Sequence, residues 1–362
     1  MKRREFLRAA GAGLAASALA APAIAQTMPE LKWRLTASWP KSLDTLYGAC
    51  EDLSKRVAEA TDNKFQIQVF AAGEIVPGLQ VLDAVQNGTV EVGHTAGYYY
   101  WGKDPSFGFC TAIPFGLNAR QQDSWQLFGG GMDLLNGLFA DFNCYGIPMG
   151  NTCAQMGGWF RKEIKTLDDL KGLKFRIGGF AGTVTNRLGV VSQQLAPGDI
   201  YPALEKGTLD AVEWIGPYDD EKLGFYRVAK YYYYPGWWEG GATGHLLINK
   251  PKWEGLSKAY QAILFSAARE AGLRMTAKYD AVNPPAMKRL VANGAQLRPF
   301  SPEIMEASYK AANEVYAELS AKNARFKKIL ESLMSFRQSS YSWWQVCELT
   351  FDAFQVRMLG KA

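Results

Sequence analysis

Leu167-Asp168-Asp169-Leu170-Lys171-Gly172-Leu173-Lys174-Phe175-Arg176-Ile177 runs from a short helical or turn segment into a β-strand, and Leu209-Asp210-Ala211-Val212-Glu213-Trp214 does the same. Each phrase leaves one charged side chain at its strand, Arg176 in the first and Glu213 in the second. A guanidinium and a carboxylate presented from adjacent strands can hold a small anion together with a cation.

Toward the N-terminus the pattern is strand, helix, strand, helix, strand. Leu31–Ala37 is a strand, and a helix opens at Ser42 and runs to about Ala60. Lys64-Phe65-Gln66-Ile67-Gln68-Val69-Phe70 alternates as a half-buried strand does. Gly78–Gln86 is a short helix and Thr89–Ala96 the next strand, an order that predicts βαβ units and an open α/β domain. Gln121–Phe142 is helical, broken by Gly129-Gly130-Gly131.

Beyond residue 150 the strands are short. Gly157–Phe160, Lys174–Ile177, Thr208–Trp214 and Tyr231–Tyr234 are extended, with helices from Pro197 and over Asp219–Lys230. Gly178-Gly179-Phe180-Ala181-Gly182 lacks the Lys-Ser/Thr of a phosphate loop and is read as a turn that brings backbone near a ligand. Gly244–Asn249 returns to the first domain. Two crossings between α/β lobes predict a hinged clamshell with its ligand between them. The expected organisation is lobe I over 26–150, completed by about 240–290, lobe II over 151–239, and a C-terminal helical region over 291–362. Trp253–Tyr279 is a long amphipathic helix that Pro284-Pro285 is expected to break. Ser301-Pro302 opens another. From Tyr341 the apolar residues spread over more than one helical face, so this stretch either fills a groove of its own lobe or docks on a second subunit.

Met1-Lys2-Arg3-Arg4-Glu5-Phe6-Leu7-Arg8, an Ala-rich run and Ala23-Ile24-Ala25 read as a twin-arginine export signal over 1–25. The run is shorter than the ~20 apolar residues of a membrane span. The leader holds four basic residues against Glu5, so of the chain's net +5 only +2 remains after cleavage. No basic run is left to suggest nucleic acid. The five cysteines, Cys50, Cys110, Cys144, Cys153 and Cys347, are widely spaced and odd in number, and most are read as small buried hydrophobes.

The two histidines, His94 and His245, lie in predicted strands and support no Ser/His/Asp or Cys/His nucleophile arrangement. Arg176, between Phe175 and Ile177, is the anion anchor, with a surface ion pair as the alternative. Glu213, between Val212 and Trp214, and Glu239, between Trp238 and Gly240, sit in apolar surroundings where a charge is costly unless paired or ion-bound. Both are cation candidates, and two independent salt bridges are the alternative.

At these residues the chain resembles a substrate-binding protein of the tripartite ATP-independent periplasmic (TRAP) transporters, of the DctP type. The resemblance spans essentially the whole mature chain and includes Trp33-Arg34-Leu35-Thr36, Leu170–Arg176 and Gly207–Trp214. The subgroup it is most similar to binds 2-oxo and 2-hydroxy monocarboxylates with a metal ion, and Gln155, Arg176, Glu213-Trp214 and Glu239 match its pattern. The resemblance implies the two-lobe periplasmic binding protein fold with long C-terminal helices. It implies that Arg176 grips the substrate carboxylate and that Gln155 reaches the substrate, the cation or both. Glu213, the Trp214 carbonyl and Glu239 hold sodium or calcium, with Glu213 also at the substrate. Permease membrane subunits are the implied partners, and dimerisation runs through the C-terminal helix. Tyr98, Tyr99, Tyr100, Trp101 and Phe180 are expected along the pocket wall.

The leading function is therefore a periplasmic receptor for a small organic acid, with no chemistry of its own. The alternative is a metal-dependent enzyme on hydroxy or oxo acids. Such an enzyme needs a general base, and only Glu213 or Glu239 is on offer. A sugar receptor would rest on aromatic stacking and would not need Arg176.

Overall fold

The computed structural model of the chain describes residues 29–360. The expected leader over 1–25 lies outside the described residues. Eleven strands occur among those described: β1 (Leu31–Ala37), β2 (Phe65–Phe70), β3 (Val92–Thr95), β4 (Cys144–Asn151), β5 (Gly158–Phe160), β6 (Lys174–Arg176), β7 (Val191–Gln193), β8 (Ala211–Val212), β9 (Tyr231–Tyr234), β10 (Thr243–Asn249) and β11 (Gln296–Pro299). They form two mixed sheets, ordered β2-β1-β3-β10-β4 and β11-β9-β5-β8-β6-β7.

In the first sheet β1 and β3 run parallel, with Leu35 opposite Val92, as the βαβ reading requires. The crossing helix is Leu46–Ala60, which starts later than Ser42 and turns Leu46, Leu53 and Val57 inward. Strand β2 alternates as expected, with Phe65 and Ile67 buried and Gln66 and Gln68 exposed. Strand β10 is buried throughout and pairs antiparallel with both β3 and β4, so residues 243–249 do rejoin the first sheet. A strand flanked on both sides and covered on both faces is apolar along its whole length, and Leu246-Leu247-Ile248 fits that place.

In the second sheet β6 and β8 are parallel neighbours with Arg176 opposite Val212. The Glu213 N–H donates to the Arg176 carbonyl at 3.0 Å, so the two charged residues of the paired phrases stand side by side.

Several local expectations are corrected. Gly178–Gly182 is no free turn: Gly178 is the N-cap of a helix over Gly179–Arg187. Its glycines are required by packing, since a Cβ on Gly178 would come within 2.5 Å of the Tyr98 ring. The helix expected over Asp219–Lys230 is Pro217–Leu223, closed by Gly224 at φ 79° and followed by a short 3₁₀ turn. Pro284-Pro285 does not break the long helix, which runs from Lys258 to Ala292. Both prolines and the residues four back, Asp280 and Ala281, are exposed, so water can satisfy the carbonyls that lose their N–H partners. The region from 291 is not purely helical, because Gln296–Pro299 adds to the second sheet as a parallel partner of Tyr231–Tyr234.

The long helix ties the sheets together. Gly272 lets it approach β4, where an added Cβ would meet the Gly150 nitrogen at 2.5 Å. Tyr279, further along, donates to Asp219 at 2.6 Å, and Thr45 beside the first sheet donates to the same carboxylate at 2.8 Å. The chain ends in helices over Pro302–Lys322, Ala324–Trp344 and Glu348–Leu359. The last of these buries no residue, and Phe351 is 62% and Leu359 75% exposed, so it does not fill a groove of its own lobe.

Among the described residues no helix is long and apolar enough to cross a membrane. Cys50, Cys110 and Cys144 are buried as expected, and all five cysteines are free thiols.

Candidate functional site

Arg176 at the end of β6 is 0% exposed. Its Nη1 donates to the Glu213 carbonyl at 2.6 Å and to the Glu213 carboxylate at 3.0 Å. Its Nε and Nη2 both donate to the Leu195 carbonyl at 3.3 Å. The guanidinium lies 5.0 Å from the Trp214 ring centre, a cation–π arrangement. The surface ion pair considered for Arg176 is thus excluded. Tyr99 stands in the field of the guanidinium, and burial pushes its hydroxyl up to about 12.

Glu213 is also 0% exposed. Burial pushes its carboxyl up to about 7, and the Arg176 charge holds the rise in check. Glu239 is buried too, with its carboxyl raised well above the usual range, first by burial and then by the charge of Glu213. The two acids expected to act together do meet electrostatically, and the reading of independent salt bridges fails for Glu239, which has no ion pair among the described residues.

Gln155 lies on the loop after β4. Its backbone N–H donates to the Glu239 carbonyl at 3.2 Å, which ties the two together. Its side-chain Nε2 donates to the Thr152 hydroxyl at 3.0 Å. That hydroxyl spends its own proton on the Cys153 carbonyl at 3.2 Å and also accepts from the Ala242 N–H at 3.3 Å. A hydroxyl has one hydrogen to give, so it can only accept from Gln155. The amide is oriented by this bond, and its carbonyl Oε1 is left buried without a partner.

Three buried oxygens therefore lack donors among the described residues: Glu213 Oε1, Glu239 Oε2 and Gln155 Oε1. Unpaired buried carboxylates are costly. An all-oxygen set of this kind suits a hard cation such as sodium or calcium. Two carboxylates, an amide oxygen and the nearby Trp214 main chain fit such an ion without histidine or cysteine. The set includes no cluster of three or more His, Cys, Asp or Glu among the described residues.

A small cavity of about 20 Å³ adjoins these groups, with Tyr98, Tyr99, Gln155 and Trp214 in its wall. Arg176 reaches this wall through Trp214, whose ring centre lies 5.0 Å from the guanidinium, and Glu239 through Gln155, whose N–H donates to the Glu239 carbonyl. Trp39, Ala96 and Gly244 approach from the first sheet and Trp214 and Ile215 from the second, so the cavity sits between the sheets. Of the five aromatics expected here, only Tyr98 and Tyr99 arrive. Tyr100 turns away to the Leu82 N–H and Thr95 hydroxyl, and Trp101 stacks on Phe180 at 4.6 Å inside a separate aromatic cluster. Trp39 and Thr152 were not singled out by sequence. Trp39 follows β1 directly, and the carboxyl end of a parallel strand is where ligands gather in open α/β sheets.

The family model for the bacterial extracellular solute-binding protein, family 7 (DctP), matches residues 36–323. The chain belongs to this family. It is a periplasmic solute receptor of the TRAP class and not an enzyme. A curated relative from Nostoc sp., named a monocarboxylate 2-oxoacid-binding periplasmic protein, is 51% identical over 98% of this chain and 99% of its own. A TRAP solute-binding protein of Bordetella bronchiseptica, solved as a mixed-occupancy dimer with calcium and picolinate in one active site, is 50% identical, covers 92% of this chain and 99% of its own, and superposes with a TM-score of 0.91. A second solved relative, from Pseudoalteromonas atlantica with sodium and pyruvate bound, is 35% identical over 89% of this chain and 98% of its own, with a TM-score of 0.87.

Proposed function

We propose that this receptor binds a small 2-oxo or 2-hydroxy monocarboxylate together with sodium or calcium and delivers it to the membrane subunits of a TRAP permease. The observation that carries the reading is the pair of buried carboxylates, Glu213 and Glu239, each with an unpartnered oxygen, beside the buried Arg176. Arg176 and the cation together take the ligand carboxylate. Glu213, the Trp214 carbonyl and Glu239 hold the cation, and Glu213 also borders the ligand. Gln155, whose side-chain oxygen is buried without a partner, reaches the ligand, the cation or both. The bound ion supplies the positive charge that ionised Glu213 and Glu239 require and an attraction for the ligand's carboxylate and 2-oxygen. The small cavity favours a ligand of few atoms over a sugar. The relatives named for 2-oxoacids, and solved with pyruvate or picolinate and a cation, support the same class.

The two lobes in this reading are 26–150 with about 240–290, and 151–239 with the added strand Gln296–Pro299. The export route is the twin-arginine pathway, read from Arg3-Arg4. The apolar helix Glu348–Leu359 is the contact of a homodimer, since a patch with Phe351, Phe354 and Leu359 exposed needs cover. Calorimetric titration of the mature protein with pyruvate and lactate, with and without calcium, tests the ligand class. Cation-dependent binding of either acid is expected, and no binding of either under any cation condition would refute the assignment.

A further inference from the structure

His94 touches none of the proposed cation or carboxylate contacts, yet it is fully buried and fully bonded. The Trp39 indole N–H donates to His94 Nδ1 at 2.8 Å, and His94 Nε2 lies 2.9 Å from the Met149 carbonyl. An indole N–H can only donate. Nδ1 is therefore the bare nitrogen, and Nε2 carries the hydrogen that goes to Met149. This arrangement needs a neutral ring, and burial pushes the His94 pKa down to about 4. Gly244 closes off the space beside the ring, because a Cβ there would meet His94 Nε2 at 2.7 Å. His94 is a rigid bracket between β4 and Trp39.

Trp39 is therefore held in one orientation. It meets Trp214 edge-on, with ring centres 6.3 Å apart, and lies 6.1 Å from Tyr99. The cavity wall includes Gln155, Tyr99 and Trp214, near the charged groups, and also Trp39, Leu46, Ala96 and Ala242. These last four bring no unpartnered polar side-chain atom. With the carboxylate and the 2-oxygen held by the charged groups, the rest of the ligand packs against these apolar side chains.

We propose that Trp39, oriented by His94, sets the length of the 2-oxo acid tail that the receptor accepts. The inference rests on the function proposed above and adds a specificity determinant to it. Trp39 is a wall of the cavity that a longer tail meets, and His94 is the positioning residue that prevents the indole from rotating aside.

The test is titration in calcium of the wild type, Trp39→Leu and Trp39→Phe with pyruvate, 2-oxobutyrate, 2-oxopentanoate and 4-methyl-2-oxopentanoate. A pocket contact with one methylene discriminates by roughly 10–200-fold. The ratio of long-acid to pyruvate affinity should rise at least about tenfold in Trp39→Leu. It should rise less in Trp39→Phe, which keeps an aromatic wall but loses the bond to His94. A merely structural loss would weaken all four acids together and leave the ratios in place. Unchanged ratios in a wild type and variants that bind pyruvate would overturn this inference alone. A wild type that binds none of the acids would overturn the proposed function and this inference with it. Where Trp39→Leu does not fold, the Trp39→Phe ratios decide.

Discussion

Arg176 holds Glu213 twice, at its main-chain carbonyl at 2.6 Å and at its carboxylate at 3.0 Å, with both side chains wholly buried. Glu239 feels the same guanidinium but forms no ion pair with it among the described residues. The two acids of the site therefore differ in what their removal does to the fold, while both are needed for the ion. Glu213→Gln leaves Arg176 as an uncompensated buried charge and should cost roughly 3 kcal/mol in denaturant unfolding. Glu239→Gln removes a buried carboxyl whose charged form burial and the Glu213 charge both disfavour, and should not lower metal-free stability. Both variants should lose the rise in Tm that calcium gives the wild type. A calcium-dependent Tm rise retained in either would remove that residue from the ion site.

Arg176→Lys keeps the charge but cannot reproduce the guanidinium fork to Glu213 and Leu195. Ligand affinity should fall by about 100-fold, as for a lost charge-assisted pair worth roughly 3 kcal/mol. Titration with pyruvate reads this directly, and a loss below fivefold would argue that Arg176 serves the fold only.

Thr152→Val removes the acceptor that orients Gln155. The amide then loses its hydroxyl anchor, so calcium affinity should drop roughly tenfold, about the worth of one hydrogen-bond-sized contact. Cation titration monitored by tryptophan fluorescence checks it. Equal calcium affinity in the variant would show that the Gln155 oxygen is no ligand.

Asp219 accepts from Thr45 and Tyr279, and burial raises its carboxyl to about 6 despite those bonds. A carboxyl whose pKa rises on folding takes up a proton in the folded state. Its stabilising effect is complete below the unfolded value of 3.8 and is lost as pH rises through 6. The stability of the wild type relative to Asp219→Asn should therefore fall by about 2 kcal/mol from pH 4 to pH 7. Taking the difference cancels the opposite slope from His94 and His245, whose lowered pKa values favour the folded state as pH rises. A flat difference across this range would mean that Asp219 folds without its proton.

The exposed terminal helix gives the dimer test. Phe354→Glu in the Glu348–Leu359 helix should convert a dimer to a monomer in sedimentation analysis without lowering Tm by more than about 0.5 kcal/mol equivalent, since the helix buries none of its own residues. A monomeric wild type would contradict the homodimer.

The α/β class, the neighbouring strands of Arg176 and Glu213, and the return of Gly244–Asn249 to the first sheet were legible because each depends on local signals. Alternation at Phe65–Phe70, an unbroken apolar run at Leu246–Ile248, and charges in apolar strands all survive without knowledge of the partner. What was not legible depends on contacts far along the chain. Pro284-Pro285 is tolerated only because its face of the helix is solvated. Gln296–Pro299 becomes a strand because Tyr231–Tyr234 offers it an edge. Tyr100 and Trp101 look like Tyr98 and Tyr99 in sequence, and the 3₁₀ turn over Gly97–Tyr100 sends them to different sides. Trp39 and Thr152 matter through bonds to residues 55 positions away in His94 and 90 away in Ala242, which no local pattern announces.

The central claim is that one site takes cation and carboxylate together, and reciprocity tests it most directly. Calcium affinity should be measured with and without saturating pyruvate, and pyruvate affinity with and without saturating calcium, by calorimetry on the chelated mature protein. Coupling through a shared site requires that each ligand raise the other's affinity by the same factor, here expected to exceed about tenfold. Pyruvate binding of unchanged strength in the absence of any cation would contradict the account.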